Sequence, residues 1–520
     1  MLPVALWVTA FITGAEILAV EIVGARLITP QFGVSLYVWS SLIAVTLIAL
    51  AIGYALGGWL ADRRGTAGDL CLLLLIAALA LGAVPPLAGP VFSLTADVGL
   101  RSGSLLSAGL LFTLPLGALA MITPYIVRLL ARNPERVGSA VGGVYALSTA
   151  GSVLGALATG FWLVPSFPLP RIFLVLALGL VVVAALLWTV ERPWRRWPAV
   201  ALFIGTALAL WGGGSLSGGP EGAVFSARFR PLFAGQSLYG EWRVLETNEP
   251  EPSRFLLLNG IIQSGIDQEG KSVFPYPYLM EQLLASRHPE PRRMLLVGLG
   301  AGVMARSLPL VGHGPPVEID VAEIDPMAVE LARRYFGYAP PTGTTENGRL
   351  FIDDGRRLLS HTDRRYDVVI LDAYASEALP FHLFSVEAFQ AVRQRLEPGG
   401  VLLINTRELA GSAPSPGLRA VVRTLRDVFP VVEVYSSETG GPLDSRFLVA
   451  SMTTGEPSGR PEAVSVTLER GPFRGRPMTV RPQPIDDRGS RLLTDGFNPM
   501  EWLDAPVAEA AREGTRRYLK

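Results

Sequence analysis

Apolar residues crowd the first 214 positions and thin out sharply after them. Long apolar runs can be placed at roughly 3–28, 36–60, 69–90, 104–130, 138–164, 171–190 and 197–213, each near the ~20 residues that a helix needs to cross a bilayer. The first run lacks a basic start and is followed by others, which argues against a cleaved signal peptide. Trp39, Trp59, Trp162, Trp194 and Trp197 fall near run ends, where interfacial anchors sit. Small residues repeat at four-residue spacing in Gly53-x-x-x-Gly57 and Gly151-x-x-x-Gly155, so helix backbones can approach closely. The pattern predicts a packed, multi-span α-helical membrane domain over 1–214 with seven spans, six or eight being the neighbouring counts.

Beyond that point the pattern changes to short alternating and short continuous apolar segments. GGGSLSGGPEG at 212–222 has the composition of a flexible linker. Two alternating segments, SLYGEWRVLETN and RFLLLNGIIQSG, are separated by a polar break at 248–253 and predict a small antiparallel sheet. Residues 271–286 read as a helix entered through Pro275 and Pro277. Strands are then predicted at 294–297, at 318–323, ahead of Asp353, over 366–371 and over 401–405, with helices between them. Such alternation argues for a doubly wound sheet with ligands at the strands' carboxyl ends. The expected divisions are a linker at 215–235, a small β domain with its following helix at 236–290, a Rossmann-like nucleoside-binding domain at 291–460 and a C-terminal extension at 461–520.

Composition sharpens the split. Half of the 520 residues are hydrophobic and 17% are charged, apolar for an ordinary globular protein. Charge is balanced, 45 basic against 45 acidic, so nothing global points to nucleic acid. A lone Cys71 and four scattered histidines exclude a disulfide framework and make a metal site unexpected. Arginines cluster after the second run (Arg63, Arg64), the fourth (Arg128, Arg132, Arg136) and the sixth (Arg192, Arg195, Arg196). By the positive-inside rule these loops and the N-terminus are cytoplasmic, and seven crossings would leave the C-terminal half outside. Supply of a cytoplasmic nucleoside argues the other way, for an integral plasma-membrane protein whose catalytic domain faces the cytoplasm. Glu16, Glu21 and Arg26 lie in the first run, where ionisable groups are costly and raise a functional hypothesis. The segment from Gly58 to Gly65, GWLADRRG, resembles a loop signature of major-facilitator transporters and equally suits a basic turn between helices.

The chemistry concentrates near residue 300. Strand 294–297 runs into Gly298, Gly300 and Gly302, then a helix, then a strand ending in Glu323 and Asp325. A glycine turn lets backbone N–H groups approach a ligand. Glu323, 21 positions after Gly302, has the spacing of a carboxylate that meets ribose hydroxyls. Asp353, Asp354 and Asp372 also close predicted strands. Together they predict an adenosine-containing ligand.

Residues of about 237–455 resemble the spermidine synthase (polyamine aminopropyltransferase) family, a branch of the class I methyltransferase-like α/β fold. The resemblance rests on Ser237-Leu-Tyr239, Leu258-Asn-Gly-Ile-Ile-Gln263, Val297-Gly-Leu-Gly-Ala-Gly302, Glu323-Ile-Asp-Pro326, Asp353-Asp-Gly355, Leu371-Asp372, Leu383-Phe384-Ser385-x-Glu387-x-Phe389 and Pro398-Gly-Gly400. The tail Leu493-Thr-Asp495-Gly-Phe-Asn-Pro499 resembles the end segment of membrane-fused members. The resemblance implies that the 298–302 turn faces the sulfonium end of decarboxylated S-adenosylmethionine, that Glu323 holds the ribose and that Asp354 accepts from the adenine. Asp325 and Asp353 stand beside them. Gln263 and Tyr276 would frame the donor's tail and the amine pocket, and Asp372 would hold or deprotonate the attacking amine. No metal is implied, and a homodimer is compatible with the family.

Four departures bear on specificity. Ala301 stands where soluble members carry an acid, Ala375 where they carry a second Asp, Asn259 where Asp is usual, and Tyr276-Pro-Tyr278 replaces Tyr-His-Glu. Amine recognition would then be weaker, or be rebuilt with Glu377, Tyr374 and His382. Three functions are left open. One is aminopropyl transfer to an amine such as putrescine. Another is methyl or aminocarboxypropyl transfer from S-adenosylmethionine to a lipid or membrane-delivered substrate. The last is a polyamine transporter or sensor with a non-catalytic nucleoside domain.

Overall fold

The computed structural model describes residues 2–32, 36–95, 98–131, 137–191, 228–308, 317–340, 348–437, 442–452, 463–467 and 477–519. The chain divides into two compact units, one of helices and one of mixed strands and helices. Helices α1 (Leu2–Phe32), α2 (Leu36–Arg64), α3 (Ala67–Thr95), α4 (Leu100–Leu130), α5 (Val137–Ala158) and α6 (Leu169–Glu191) make the first. Among the described residues, six helices are long and apolar enough to cross a membrane. The expected run at 197–213 and the glycine-rich stretch at 212–222 lie outside the described residues.

The small residues set the helix pairing. A Cβ on Gly57 of α2 would stand 2.6 Å from the Met121 Cα of α4, and one on Gly155 of α5 would stand 2.7 Å from the Ala15 Cα of α1. Neither backbone could yield that distance, so glycine is what lets these axes close up. A single π turn, Thr159–Leu163, follows α5. Glu16 is buried on α1, its Oε1 facing Gly179 of α6.

The second unit opens with a four-stranded sheet in the order β1 (Phe229–Gln236), β2 (Glu241–Thr247), β3 (Arg254–Leu258), β4 (Ile261–Ile266). Strand β1 occupies positions expected to be linker. It lacks clean alternation, and what marks it is tertiary: Arg230 pairs with Glu246 of β2 at 2.5 Å, and Phe229 packs edge-on against Phe255 of β3. Helix α7 (Tyr276–Arg287) begins five residues later than the 271 start expected, because Pro275 and Pro277 suit only the first turn.

A nine-stranded sheet follows, in the order β12-β13-β10-β11-β9-β8-β5-β6-β7. Its parallel part comprises β5 (Arg293–Val297), β6 (Glu318–Glu323), β7 (Leu350–Ile352), β8 (Tyr366–Leu371) and the start of β9 (Leu396–Leu409). Helices α8 (Val303–Ser307), α9 (Pro326–Phe336), α10 (Gly355–His361) and α11 (Val386–Arg395) connect these strands, and α12 (Pro416–Val428) follows β9. Strands β10 (Val431–Ser437), β11 (Leu443–Ser451), β12 (Val464–Thr467) and β13 (Pro477–Pro482) extend the sheet antiparallel. Both faces are covered: Leu295 and Val297 join one apolar cluster while Met294 and Leu296 join another. This is the class I methyltransferase-like α/β fold preceded by a small antiparallel sheet. Chain order reverses between β5 and β8, which opens a crevice at their carboxyl ends. Strand β9 runs past the expected 401–405 because its register with β11 continues to Leu409 opposite Leu443.

Candidate active site

At the tip of β5 the backbone turns through Gly298, Gly300 and Gly302 at φ of 95°, 54° and 73°, a region that glycine alone enters without strain. Gly298 has a second reason to be glycine. A Cβ there would run into the Asp372 carbonyl and stand 3.1 Å from the Ala373 Cα, so the tips of β5 and β8 touch at this residue. Ala301 points away into an apolar cluster with Trp242, Val244 and Leu256 of the small sheet.

Glu323 ends β6 and is 8% exposed. Its Oε2 accepts the Leu299 N–H at 2.9 Å and its Oε1 accepts the Asp325 N–H at 2.9 Å. Burial pushes its carboxyl up, and these backbone donors oppose the shift. The same carboxylate therefore holds the glycine turn in shape, and it retains lone pairs for further donors.

Asp325 and Asp353, both expected at the nucleoside, also hold the fold together. Asp325 is 1% exposed. It caps α9 by accepting the Met327 N–H at 2.9 Å and accepts the Trp242 Nε1–H of β2 at 2.6 Å. Asp353 accepts the Asp354 N–H at 2.9 Å and pairs with Arg357 at 2.5 Å. Asp354 caps α10 through the Arg356 and Arg357 N–H groups and meets His382 Nε2 at 2.8 Å. That histidine holds the Asp354 carboxyl below its ordinary value. His382, expected among the groups that would rebuild amine recognition, stands beside Asp354.

Asp372 follows β8. Its Oδ1 accepts Asn405 Nδ2–H at 2.9 Å and its Oδ2 accepts the Tyr276 hydroxyl at 3.3 Å. The residue is half-buried. Burial raises its pKa, while the Asn405 amide, the Arg407 charge and the Tyr276 hydroxyl pull it back. Burial also pushes the Tyr276 phenol well above its ordinary value, with Asp372 adding to the rise; it is a hydrogen-bond donor here, not a base.

Gln263 and Glu377 hold the loop that follows Asp372. Gln263 Nε2–H donates to the Ser376 carbonyl at 2.9 Å, and Ser376 Oγ–H donates to the Leu258 carbonyl at 3.0 Å. These bonds fix Ser376 at φ 66°, a conformation that costs a non-glycine residue about 1–3 kcal/mol. Glu377 is 6% exposed and paired with Arg512 at 2.7 Å. Arg512 lies on the C-terminal helix, Ala505–Leu519. The tail segment reaches the same loop: Asp495 pairs with Arg356 and accepts the Ser385 hydroxyl at 2.7 Å, and Asn498 Nδ2–H donates to the Phe381 carbonyl at 2.8 Å.

Four residues at the site carried no assigned role in the sequence reading: Trp242, Asn405, Arg407 and Arg512. Asn405 and Arg407 had a usable signal, since residues two apart on a strand leaving the sheet share a face. Arg512, 135 positions after Glu377, had none.

The spermine/spermidine synthase domain model matches residues 273–439, which covers the glycine turn, Glu323, Asp325, Asp353, Asp354, Asp372 and Glu377. Polyamine aminopropyltransferase 2 of Hyperthermus butylicus is 30% identical over 222 residues, spanning 42% of this chain and 69% of that protein. The chain belongs to the spermidine synthase family. Polyamine aminopropyltransferase of Vibrio vulnificus is 27% identical over 46% of this chain and 78% of that protein. Among solved structures, spermidine synthase from Thermotoga maritima is similar at 22% identity and a TM-score of 0.36, over 44% of this chain and 75% of its own. As a spermidine synthase-type transferase the chain is an enzyme. Among the described residues no group of three or more His, Cys, Asp or Glu could hold a metal ion.

Proposed function

We propose that this protein is a membrane-embedded aminopropyltransferase that moves an aminopropyl group from decarboxylated S-adenosylmethionine to an amine, putrescine being the simplest such acceptor. One observation carries the reading: the Asp372 backbone touches Gly298 of the glycine turn, and its carboxylate accepts hydrogen bonds from Tyr276 and Asn405. Glu323 and Asp354 stand at the neighbouring strand tips, where a nucleoside's ribose and adenine would lie, and both keep acceptor capacity beyond their internal bonds.

The donor supplies a positively charged sulfur as leaving group. The protein's part is to bind, align and take a proton. A primary amine is mostly protonated at neutral pH, with a reference pKa near 10. Asp372 binds the ammonium, then accepts its proton as the nitrogen forms a C–N bond and the C–S bond breaks to release methylthioadenosine. Tyr276 and Asn405 fix the carboxylate's orientation. Holding the two reactants in line and excluding water supplies the remaining rate. The six apolar helices support insertion in a bilayer, and donor supply supports a cytoplasmic catalytic domain.

The test uses the full chain in lipid nanodiscs, with decarboxylated S-adenosylmethionine and a panel of primary amines. Release of methylthioadenosine that Asp372→Asn abolishes is the expected result. Release of S-adenosylhomocysteine from S-adenosylmethionine, or silence with every amine, overturns it.

A further inference from the structure

The order of the strands separates the two halves of the crevice. Glu323 and Asp354 stand at the tips of β6 and β7, on one side of β5, whereas β9 lies beyond β8 on the other. Side chains where β9 leaves the parallel sheet therefore flank Asp372 on the side away from the nucleoside acids. Two of them share a face. Asn405, opposite Phe447 of β11, sends its amide to Asp372; Arg407, opposite Ser445, comes two residues later. The Arg407 guanidinium lies over the Tyr374 ring, 4.2 Å from its centroid, and its charge acts on Asp372, Tyr276 and Tyr374.

The acids around that cation are engaged elsewhere or only near it. Glu377 is paired with Arg512 at 2.7 Å. Glu408 accepts the Ser415 N–H at 2.8 Å and the Ser415 hydroxyl at 2.6 Å. Burial and then the Glu408 charge push the buried Asp504 carboxyl well above its ordinary value, with the Arg407 charge opposing the rise. Among the described residues no carboxylate forms an ion pair with Arg407. A diamine with an ammonium at each end would place its second charge on the acceptor side, against the guanidinium. An acceptor with an anion there would find a planar fork suited to carboxylate or phosphate.

We propose that the acceptor is a primary amine bearing a carboxylate or phosphate on the same molecule, its ammonium held by Asp372 and its anion by Arg407. This rests on the aminopropyl-transfer reading. The step is unchanged: C–N forms, C–S breaks, the proton passes to Asp372 and the anionic group is untouched. A free amino acid and an aminophospholipid headgroup both have this chemistry, and the apolar helices put the second within reach of test.

The experiment measures methylthioadenosine release from decarboxylated S-adenosylmethionine by the full chain in phosphatidylcholine nanodiscs. Putrescine, 4-aminobutanoate and phosphoethanolamine are compared, together with nanodiscs containing phosphatidylethanolamine and no added amine. The expected result is a kcat/KM at least tenfold higher for an anionic amine than for putrescine. Arg407→Gln lowers that preference at least tenfold through KM, and Arg407→Glu reverses it, while methylthioadenosine binding by both variants certifies the fold. Turnover confined to phosphatidylethanolamine discs assigns the headgroup, and turnover of the soluble amines assigns a free metabolite. Preference for putrescine, or an equal loss for all acceptors in Arg407→Gln, overturns the inference and leaves aminopropyl transfer standing. Silence with every acceptor overturns both.

Discussion

Glu323 is where fold and ligand would compete for one carboxylate, so Glu323→Gln separates the two roles. The carboxylate already accepts the Leu299 and Asp325 N–H groups, one on each oxygen. Glutamine keeps the shape but turns one acceptor into a donor, leaving one buried N–H unpartnered at about 1–3 kcal/mol of stability. If the ribose hydroxyls also donate to this carboxylate, each such bond to a charged group contributes about 1.5–3 kcal/mol. Losing one and weakening the other removes about 2–4 kcal/mol of nucleoside affinity, or about 30-fold to 700-fold in Kd. Calorimetry on the full chain in nanodiscs would compare methylthioadenosine with its 2′,3′-dideoxy counterpart in the wild type and the variant. The wild type should discriminate strongly between the two nucleosides, and Glu323→Gln should shrink that discrimination to less than about tenfold, a coupling that a double-mutant cycle isolates. If both nucleosides weaken equally, Glu323 only shapes the turn and the ribose assignment is refuted.

Three further outcomes follow from the same geometry. Asp372→Asn, which cannot accept a proton, should lower kcat by about 10²–10⁴-fold, and a smaller loss in stopped assays of methylthioadenosine would count against Asp372 as the base. Asp372 must be ionised to work and its carboxyl is raised by burial, so activity should fall with decreasing pH above the usual aspartate range near 3.9. Asn405→Ala removes a bond to the charged form and should move that acid limb to higher pH; a kcat/KM profile that stays put or moves lower contradicts it. Gly298→Ala combines a positive φ with contact against the Asp372 carbonyl; it should lower stability by about 1–3 kcal/mol, and an unchanged melting temperature would show that the β5 and β8 tips are not in contact.

How far the chain could be read before folding depends on how local each signal is. The 298–302 turn, the strand-end acids and the apolar runs are written in adjacent residues, because glycine conformation, strand burial and helix length are local requirements. The double use of those acids was not legible. Asp325 and Asp353 satisfy every sequence criterion for a ligand acid, and in the fold one also accepts from Trp242 and the other also pairs with Arg357. Strand β1 was hidden for a related reason, since its pairing comes from Arg230 and Phe229 meeting residues of β2 and β3.

By itself the sequence determined the class of fold and the short roster of carboxylates, which follow from spacing along the chain, and the family through the resemblance of its motifs. Only the tertiary structure decided which groups each carboxylate meets, through partners far off in sequence: His382 for Asp354, Asn405 and Tyr276 for Asp372, Arg512 for Glu377. A carboxylate's chemistry depends on the charges and donors within a few ångströms of it, and those neighbours are brought there by the sheet order rather than by position in the chain.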